Sequence, residues 1–500
     1  MRRTTPIPAR AVVEPVDVSA AVESALRVFA GADGPAILES SRHIDTYGRF
    51  SIFAADPVET ISLGVGASHD PLSALADRLK RYPAVELIGI EPSGMAKRSA
   101  AMPYRDRRSA RAVSEIPFVG GWIGFVSYEA GLSAQRIEPH PKAETDLPFA
   151  RFGLYDSAVV FDHQSEQWYL TAIEWPGAMR RPTVAERLAV LRERLQTAAR
   201  VELDEPPQPY TTRPIPNMSR GAYVAKLLRA KQYIEAGDVY QVNLTQRFTA
   251  RTSASPLELY RRLREASPSS HGALLMWDDT AIVSSSPELF LHLRHGHVVT
   301  RPIKGTRPRT GDPRIDAVAR RELAVSEKDR AELTMIVDLL RNDLGRVCSF
   351  GTVRVTEPVR IEEHPTVFHR VATIVGDLRP GMEWVDLLRA AFPGGSVTGA
   401  PKIRAMQIIR ELEPTPRGVY CGSIGWIGLD GSVSLNLAIR TMVQRGDHVY
   451  LYAGGGIVAE STPDGEYEET LAKLRGMLLA LNCAAPWETT RPIREAVPTP

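Results

Sequence analysis

The apolar positions fall into two kinds of pattern along the chain. In the first 200 residues, short runs rich in β-branched and aromatic residues are bounded by turn residues: PAILES (35–40), RFSIFA (49–54), FVGGWIGFVSYEA (118–130), ARFGLYDSAVVFDH (150–163) and QWYLTAIEW (167–175). These predict strands. Between them, DPLSALADRLKRY (70–82) and TVAERLAVLRERLQTAA (183–199) repeat apolar residues every three or four positions and predict helices. A proline-rich stretch, 204–220, breaks the pattern and reads as a linker. Beyond it, SRGAYVAKLLRAKQYIEAG (219–237) predicts a helix, with Ser219 to cap its start and Gly237 its end. Strands follow at DVYQVNLTQRFTA, TAIVSSSPELFLHLR and HVVTRPIKG, then a helix at EKDRAELTMIVDLLRNDLG (327–345). Later strands lie at GVYCGSIGWIGL, SVSLNLAIRTMVQ and HVYLYAGGGIVA, and a last helix at GEYEETLAKLRGMLLAL (465–481). Strand runs joined by turns, with helices grouped between them, indicate an antiparallel α+β architecture rather than a doubly wound sheet. Two regions result, 1–203 and 218–484, followed by a loose proline-rich tail at 485–500.

Composition narrows the function classes. With 500 residues, 43% hydrophobic and 24% charged, the chain is that of a soluble globular protein. The 61 basic and 59 acidic residues nearly cancel, which argues against nucleic-acid binding as its task. The one basic run, 97–111, reads as a solvated loop. Three distant cysteines, Cys348, Cys421 and Cys483, suggest neither a disulfide framework nor a zinc site. No apolar run is long enough to span a membrane, and the N-terminus lacks the apolar stretch of a signal peptide. A cytoplasmic location is expected.

A few residues stand out against these patterns. Glu332 projects from the middle of a helical face carrying Met335, Ile336, Leu339 and Leu340. It is either half of a buried salt bridge or a cation ligand, and periodicity does not choose between them. Glu466 and Glu469 share the first turn of the last helix, where acidic residues already suit the helix dipole. AGGGIVAE (453–460) and FPGGSVTGAPK (392–402) are glycine-rich but match neither a dinucleotide fingerprint nor a nucleotide P-loop. Lys304 stands in RPIKGTRPRT (301–310), amid arginines, as either a solvated charge or a nucleophile in a pocket.

Taken in order, PELF, PIKGTRPR, KDRAELTMIVDLLRNDLGRV, FPGGSVTGAPKIRAMQIIRELEP, GVYCGSIGW, IRT and AGGGIVAES…EYEET resemble the chorismate-binding family. The resemblance is dense over 218–484 and thinner before it, in ILES, GRFSIFAADP and GGWIGFVSYE. It implies a sandwich of large antiparallel sheets with flanking helices, built jointly by both regions. It implies that Glu332 and Glu469, with Glu466 beside them, bind Mg²⁺, which in turn grips a carboxylate of chorismate. Tyr420, Arg440 and the backbone of Gly454, Gly455 and Gly456 match positions that hold the substrate carboxylates. Gly305 and Thr306 match a turn that contacts chorismate, and His369 matches an active-site histidine. Glu288 matches the general acid that helps the C4 hydroxyl leave.

Lys304 separates the branches of this family. Most members have alanine there, and the lysine form resembles the aminodeoxychorismate synthases, in which the amine is taken to add to C2 of chorismate. A lysine attacks as the neutral amine; Arg301, Arg307 and Arg309 are candidates to favour it if they face the pocket. Gln241 replaces the lysine base of the water-using members, which implies ammonia as nucleophile, and the QVNL sequence around it points the same way. No GxCxG nucleophile turn is present, so a separate glutamine amidotransferase subunit is expected to supply ammonia. Ser40, in ILES, matches half of a tryptophan pocket, but the second half reads PSSHGA, which puts feedback by tryptophan in doubt.

Overall fold

A computed structural model describes residues 9–41, 48–64, 70–82, 115–140, 145, 147–175, 181–202, 208–364 and 367–483. The basic run at 97–111 and the tail from 485 lie outside these residues.

Two large sheets form the frame. The first runs, in spatial order, Arg10–Val16, Gln167–Glu174, Ser157–Asp162, Phe50–Ala54, Ala36–Glu39, His271–Trp277, Thr280–Ser286, Thr441–Arg445, His448–Ile457, Gln241–Arg251 and Gly399–Ala400. The second runs Ile303–Pro308, Val367–Asp377, His297–Arg301, Leu289–Arg294, Val433–Leu437, Ser423–Gly428, Gly121–Val126, Ala150–Tyr155 and Glu59–Leu63. Neighbours in both are antiparallel, as at Gln241–Arg251 with His448–Ile457 and at Ser423–Gly428 with Gly121–Val126. Each sheet draws strands from both regions of the chain, so the linker at 204–220 does not separate two folding units. Part of it adds to the sheet, with Ile215 and Pro216 paired to Thr249 and Phe248.

Alternation within single strands divides the apolar residues between two cores. In Ser157–Asp162, Ala158 and Val160 enter the larger core, shared by both sheets, while Val159 enters a second core. Helices Val22–Ala30, Val184–Ala198, Pro256–Ala266 and Pro463–Ala480 cover that second core with Phe29, Leu191, Leu263 and Leu474. The first sheet is thus buried on both faces, which explains why its strands read as continuous apolar runs.

The sequence reading and the structure differ locally. GGWIGFVSYEA continues as a strand only to Val126, and Tyr128–Ala134 is a short helix. Helices Pro256–Ala266 and Pro313–Val325 and strands Arg354–Glu363 and Val367–Asp377 were not foreseen. Arg354–Glu363 pairs only through Val367–Asp377 among the described residues, and its charged, proline-containing sequence is that of an edge strand rather than a half-buried one.

Arg417 ties several elements together. Its guanidinium donates to Glu413 at 2.6 and 2.8 Å, to the Val397 carbonyl at 2.8 Å and to the Asn243 carbonyl at 2.8 Å. It also lies 4.5 Å above the Tyr128 ring. Glu413 accepts in turn from the backbone and hydroxyl of Thr245, both at 2.9 Å. The Glu129 carboxyl caps the Arg417 and Gly418 N–H groups at 2.8 and 2.9 Å, and burial pushes it up to about 7. Arg417→Ala would strand Glu413 without its counter-charge, so we expect a loss of about 3–5 kcal/mol, read by denaturant unfolding against the wild type; a loss below about 0.5 kcal/mol, the scale of an ordinary surface change, would contradict this role.

Candidate active site

The chain passes between the two sheets at two adjacent places. Ser286-Pro287-Glu288 joins Thr280–Ser286, in the first sheet, to Leu289–Arg294, in the second. Ala438-Ile439-Arg440 joins Val433–Leu437, in the second, to Thr441–Arg445, in the first. The crossings are bonded together: the Leu437 N–H donates to the Glu288 carbonyl at 3.0 Å and the Ser285 N–H to the Arg440 carbonyl at 3.1 Å. Arg440 takes a left-handed φ of 50° there, a conformation that side chains other than glycine adopt at a cost.

Burial gives both crossing residues unusual electrostatics. The Glu288 carboxyl is 6% exposed, and desolvation pushes its pKa up to about 7 against opposing effects of Ser396 and Lys304. The Arg440 guanidinium is pulled down to about 10 by burial alone. It makes a 3.4 Å contact with the Ser267 hydroxyl and has no carboxylate partner among the described residues. A desolvated guanidinium without a counter-charge is suited to an anionic ligand.

Lys304, on strand Ile303–Pro308, is not a solvated charge. Its side chain is 13% exposed, its ammonium lies 3.9 Å from Glu332, and it makes a long 3.5 Å contact with the Ser396 carbonyl. The Ser396 hydroxyl donates to Glu288 at 2.7 Å. The three arginines around it do not serve the pocket. Arg301 pairs with Glu362 at 2.5 Å, Arg307 with Asp329 at 3.0 Å and Arg309 with Asp316 at 3.4 Å.

Glu332 lies on helix Glu327–Gly345, whose start Ser326 caps through the Asp329 N–H at 3.2 Å. Its cationic neighbours are two lysines: Lys304 and Lys328 each approach to 3.9 Å. Burial raises its pKa, and the two lysines oppose that rise. Lys328 also reaches Glu466 at 3.6 Å. Burial disfavours the Lys328 charge, but Glu466, Glu332 and Glu469 outweigh it and raise its pKa.

Glu466 and Glu469, on the last helix, do not share a solvated face. Glu466 is buried; one oxygen accepts from the Ser461 hydroxyl at 2.6 Å, and Oε2 has no hydrogen-bond partner. Glu469 is exposed and pairs with Lys473 at 2.9 Å, which holds its carboxyl below the usual range with help from Lys328 and Lys304. Among the described residues no three acidic, histidine or cysteine side chains already converge as a closed metal site. The donor chemistry nevertheless suits a hard divalent cation: an unsatisfied buried carboxylate oxygen on Glu466, a desolvated Glu332, and a lysine ammonium between them.

Gly454, Gly455 and Gly456 lie in a strand, as the pattern of HVYLYAGGGIVA predicts. They are the end of His448–Ile457, opposite Thr245, Leu244 and Asn243. The missing side chains make room on both faces. A Cβ at Gly455 would lie 2.7 Å from Glu466 Oε2, and one at Gly456 would lie 2.9 Å from the Gln241 amide. Gln241 is fully buried with both amide atoms lacking hydrogen-bond partners among the described residues. Tyr420 stacks on Tyr452 of the same strand, centroids 5.2 Å apart. Gly305, at φ 83°, brings the turn close to Asp329, and Thr306 bonds the His369 ring at 2.9 Å. Ser40 lies apart, its N–H on Ser51 Oγ at 3.1 Å, near a separate cavity of about 300 Å³ faced by Glu39, Arg49, His271 and Asn436. Sequence reasoning missed Ser396 and Lys328. The signal for Ser396 was a hydroxyl within a run of glycine and apolar residues, and for Lys328 a lysine one turn before the anomalous Glu332.

The model of the family described as chorismate binding enzyme matches residues 48–479. The chain belongs to this family. It is 38% identical over 443 residues to aminodeoxychorismate synthase component 1 of Klebsiella aerogenes, covering 88% of this chain and 92% of that one. It is 39% identical over 413 residues to anthranilate synthase component 1 of Streptomyces coelicolor, covering 79% and 80%. The crystal structure of anthranilate synthase component I from Streptococcus pneumoniae superposes with a TM-score of 0.69 at 30% identity, over 87% of this chain and 93% of that one. The last agrees with the α+β architecture of two large antiparallel sheets.

Gly456→Ala tests whether the Gln241 corner receives the family's ligand. The added methyl would press on the Gln241 amide, so we expect the fold to lose about 1–3 kcal/mol, the cost of overpacking, and chorismate binding, measured by calorimetry at a temperature where the variant is fully folded, to weaken about tenfold or more. Unaltered affinity would place the ligand elsewhere.

Proposed function

We propose that the chain is component I of an aminodeoxychorismate synthase, converting chorismate and ammonia to 4-amino-4-deoxychorismate for 4-aminobenzoate and folate synthesis. The observation that carries this reading is the half-buried Lys304, which shares Ser396 with the acid Glu288. Relatives named for aminodeoxychorismate synthesis and for anthranilate synthesis are similar to the chain to a like degree. Lys304 and the Gln241-Val242-Asn243-Leu244 sequence favour the first.

The residues divide the task as follows. Arg440, Tyr420 and the glycine strand hold the substrate carboxylates, and Gln241 lines the same pocket. Lys304 attacks C2 as the free amine; a C2–N bond forms, the two ring double bonds each shift by one position, and the C4–O bond breaks. Glu288, protonated, gives its proton to the departing hydroxyl, which leaves as water. Ammonia then attacks C4, the double bonds shift back, and the C2–N bond to Lys304 breaks. Glu332, Glu466 and Glu469 would hold Mg²⁺, which when bound supplies positive charge to anchor a carboxylate of the substrate. A separate glutamine amidotransferase subunit would deliver the ammonia, and the reaction belongs in the cytoplasm.

The test is to mix the protein with chorismate, Mg²⁺ and an ammonium salt and weigh the products. Aminodeoxychorismate without pyruvate is expected; fluorescent anthranilate with pyruvate would assign the chain to the other branch. Lys304→Ala should abolish turnover while chorismate still binds. A second expectation follows from Glu288. Its carboxyl is protonated below about 7 and ionised above it, so kcat/KM should fall as pH rises through about 7. Glu288→Gln should lose that limb and about 10²-fold or more of the rate; an unchanged profile would remove Glu288 from the role of acid.

A further inference from the structure

The turn Gly395–Val397 lies between the acid and the lysine, and it is held on every side. Upstream, a Cβ at Gly394 would lie 2.8 Å from Leu437, next to the sheet crossing, and one at Gly395 would lie 2.6 Å from Leu339, on the helix that carries Glu332. Downstream, the Val397 carbonyl accepts from Arg417 and the Thr398 carbonyl from the Asn243 N–H, both at 2.8 Å. The Thr398 hydroxyl closes the turn onto the Gly394 carbonyl at 3.0 Å. Ser396 therefore sits on a rigid bracket, 8% exposed, with its hydroxyl on Glu288 Oε1 and its carbonyl toward Lys304 Nζ.

We propose that Ser396 is a positioning residue that sets the Glu288 carboxyl and the Lys304 amine in one geometry, so that attack at C2 and proton delivery to the C4 hydroxyl occur on the same bound substrate. The inference rests on the reading of Lys304 and Glu288 given above. The reaction needs both groups at once, on ring carbons two bonds apart from each other, and small displacements of such groups are costly. One residue that touches both through different atoms provides this alignment. The two contacts are also separable: Ser396→Ala removes the hydroxyl and keeps the carbonyl.

The hydroxyl has a second effect with a distinct signature. As a donor to Glu288 it favours the carboxylate. The other groups acting on that carboxyl are the Lys304 ammonium, which also favours its ionisation, and the Ile303 N–H, which acts in the same sense. Removing the hydroxyl leaves burial less opposed, so the alkaline limb of activity moves to higher pH.

The experiment follows the full-length protein with chorismate, Mg²⁺ and ammonium salt, comparing wild type, Ser396→Ala and Ser396→Thr. Two readouts are taken: the pH profile of kcat/KM, and the intact mass of the Lys304 adduct formed from chorismate without ammonia. For Ser396→Ala we expect kcat to fall about 10- to 100-fold, KM for chorismate to change little, adduct formation to slow in parallel, and the alkaline limb to rise. Ser396→Thr, which keeps a hydroxyl, should recover the wild-type limb. Wild-type rates in Ser396→Ala, or a loss of rate with the limb unmoved, would overturn the proposal. Failure of the underlying reading shows differently: the wild type itself would form no adduct, and Lys304→Ala would remain active.

Discussion

The buried pair between Arg417 and Glu413 is the constraint on which the site depends. Alone it would be a poor source of stability, because two desolvated charges gain little over an apolar contact. Here the guanidinium makes four hydrogen bonds: two hold Glu413, and the other two reach separate parts of the site. Val397 belongs to the turn that holds Ser396, and Asn243 follows Gln241 by two residues. Through Thr245, Glu413 fixes the same strand that lies against the glycine run. Arg417 stands three residues before Tyr420, and Glu129 from the first region clamps its backbone. The ion pair therefore acts through geometry: it sets the turn, the glutamine strand and the tyrosine segment at one spacing.

Charge in the site follows a simple division. On the acidic side, Glu332, Glu466 and Glu469 surround Lys328, with Lys304 at their edge. At the sheet crossing, Arg440 is half-buried and has no carboxylate partner among the described residues. The site thus offers a guanidinium with no carboxylate partner among the described residues at one place and, at another, a cluster of carboxylates whose chemistry suits a cation. Glu288 lies between these regimes, and its low-dielectric surroundings keep it partly protonated near neutrality. The surrounding arginines, Arg301, Arg307 and Arg309, are spent on their own carboxylates and leave the pocket's potential to these few groups.

Some of this was legible in the chain and some was not. Helix Glu327–Gly345 agrees with its apolar period from end to end, because Ser326 caps it and its buried stripe is strong. Glu332 was conspicuous because a carboxylate interrupts that stripe. By contrast, Arg354–Glu363 carries five charges and a proline, and nothing local marks it as a strand; its partner strand makes it one. The glycine run falls at the end of the strand expected at HVYLYAGGGIVA, although glycine has low strand propensity. Pairing with Gln241–Arg251 overrides that propensity, and the absent side chains are filled by Glu466 and Gln241 from elsewhere.

The sequence by itself determined the element types with strong periodicity, the antiparallel α+β class, the likeness to chorismate-binding enzymes, and the lysine in the PIKGT segment. These depend on local pattern and residue chemistry, which are written along the chain. Tertiary structure alone decided that strands of both regions interleave in each sheet, that Glu288 and Arg440 occupy paired crossings, that Lys328 stands among the glutamates, and that Ser396 joins acid to amine. Those facts concern residues tens to hundreds of positions apart, such as Glu288 and Ser396 or Lys328 and Glu466. Distance in space between such residues is fixed by packing and strand register, and neither is visible in a linear pattern of hydrophobic and polar positions.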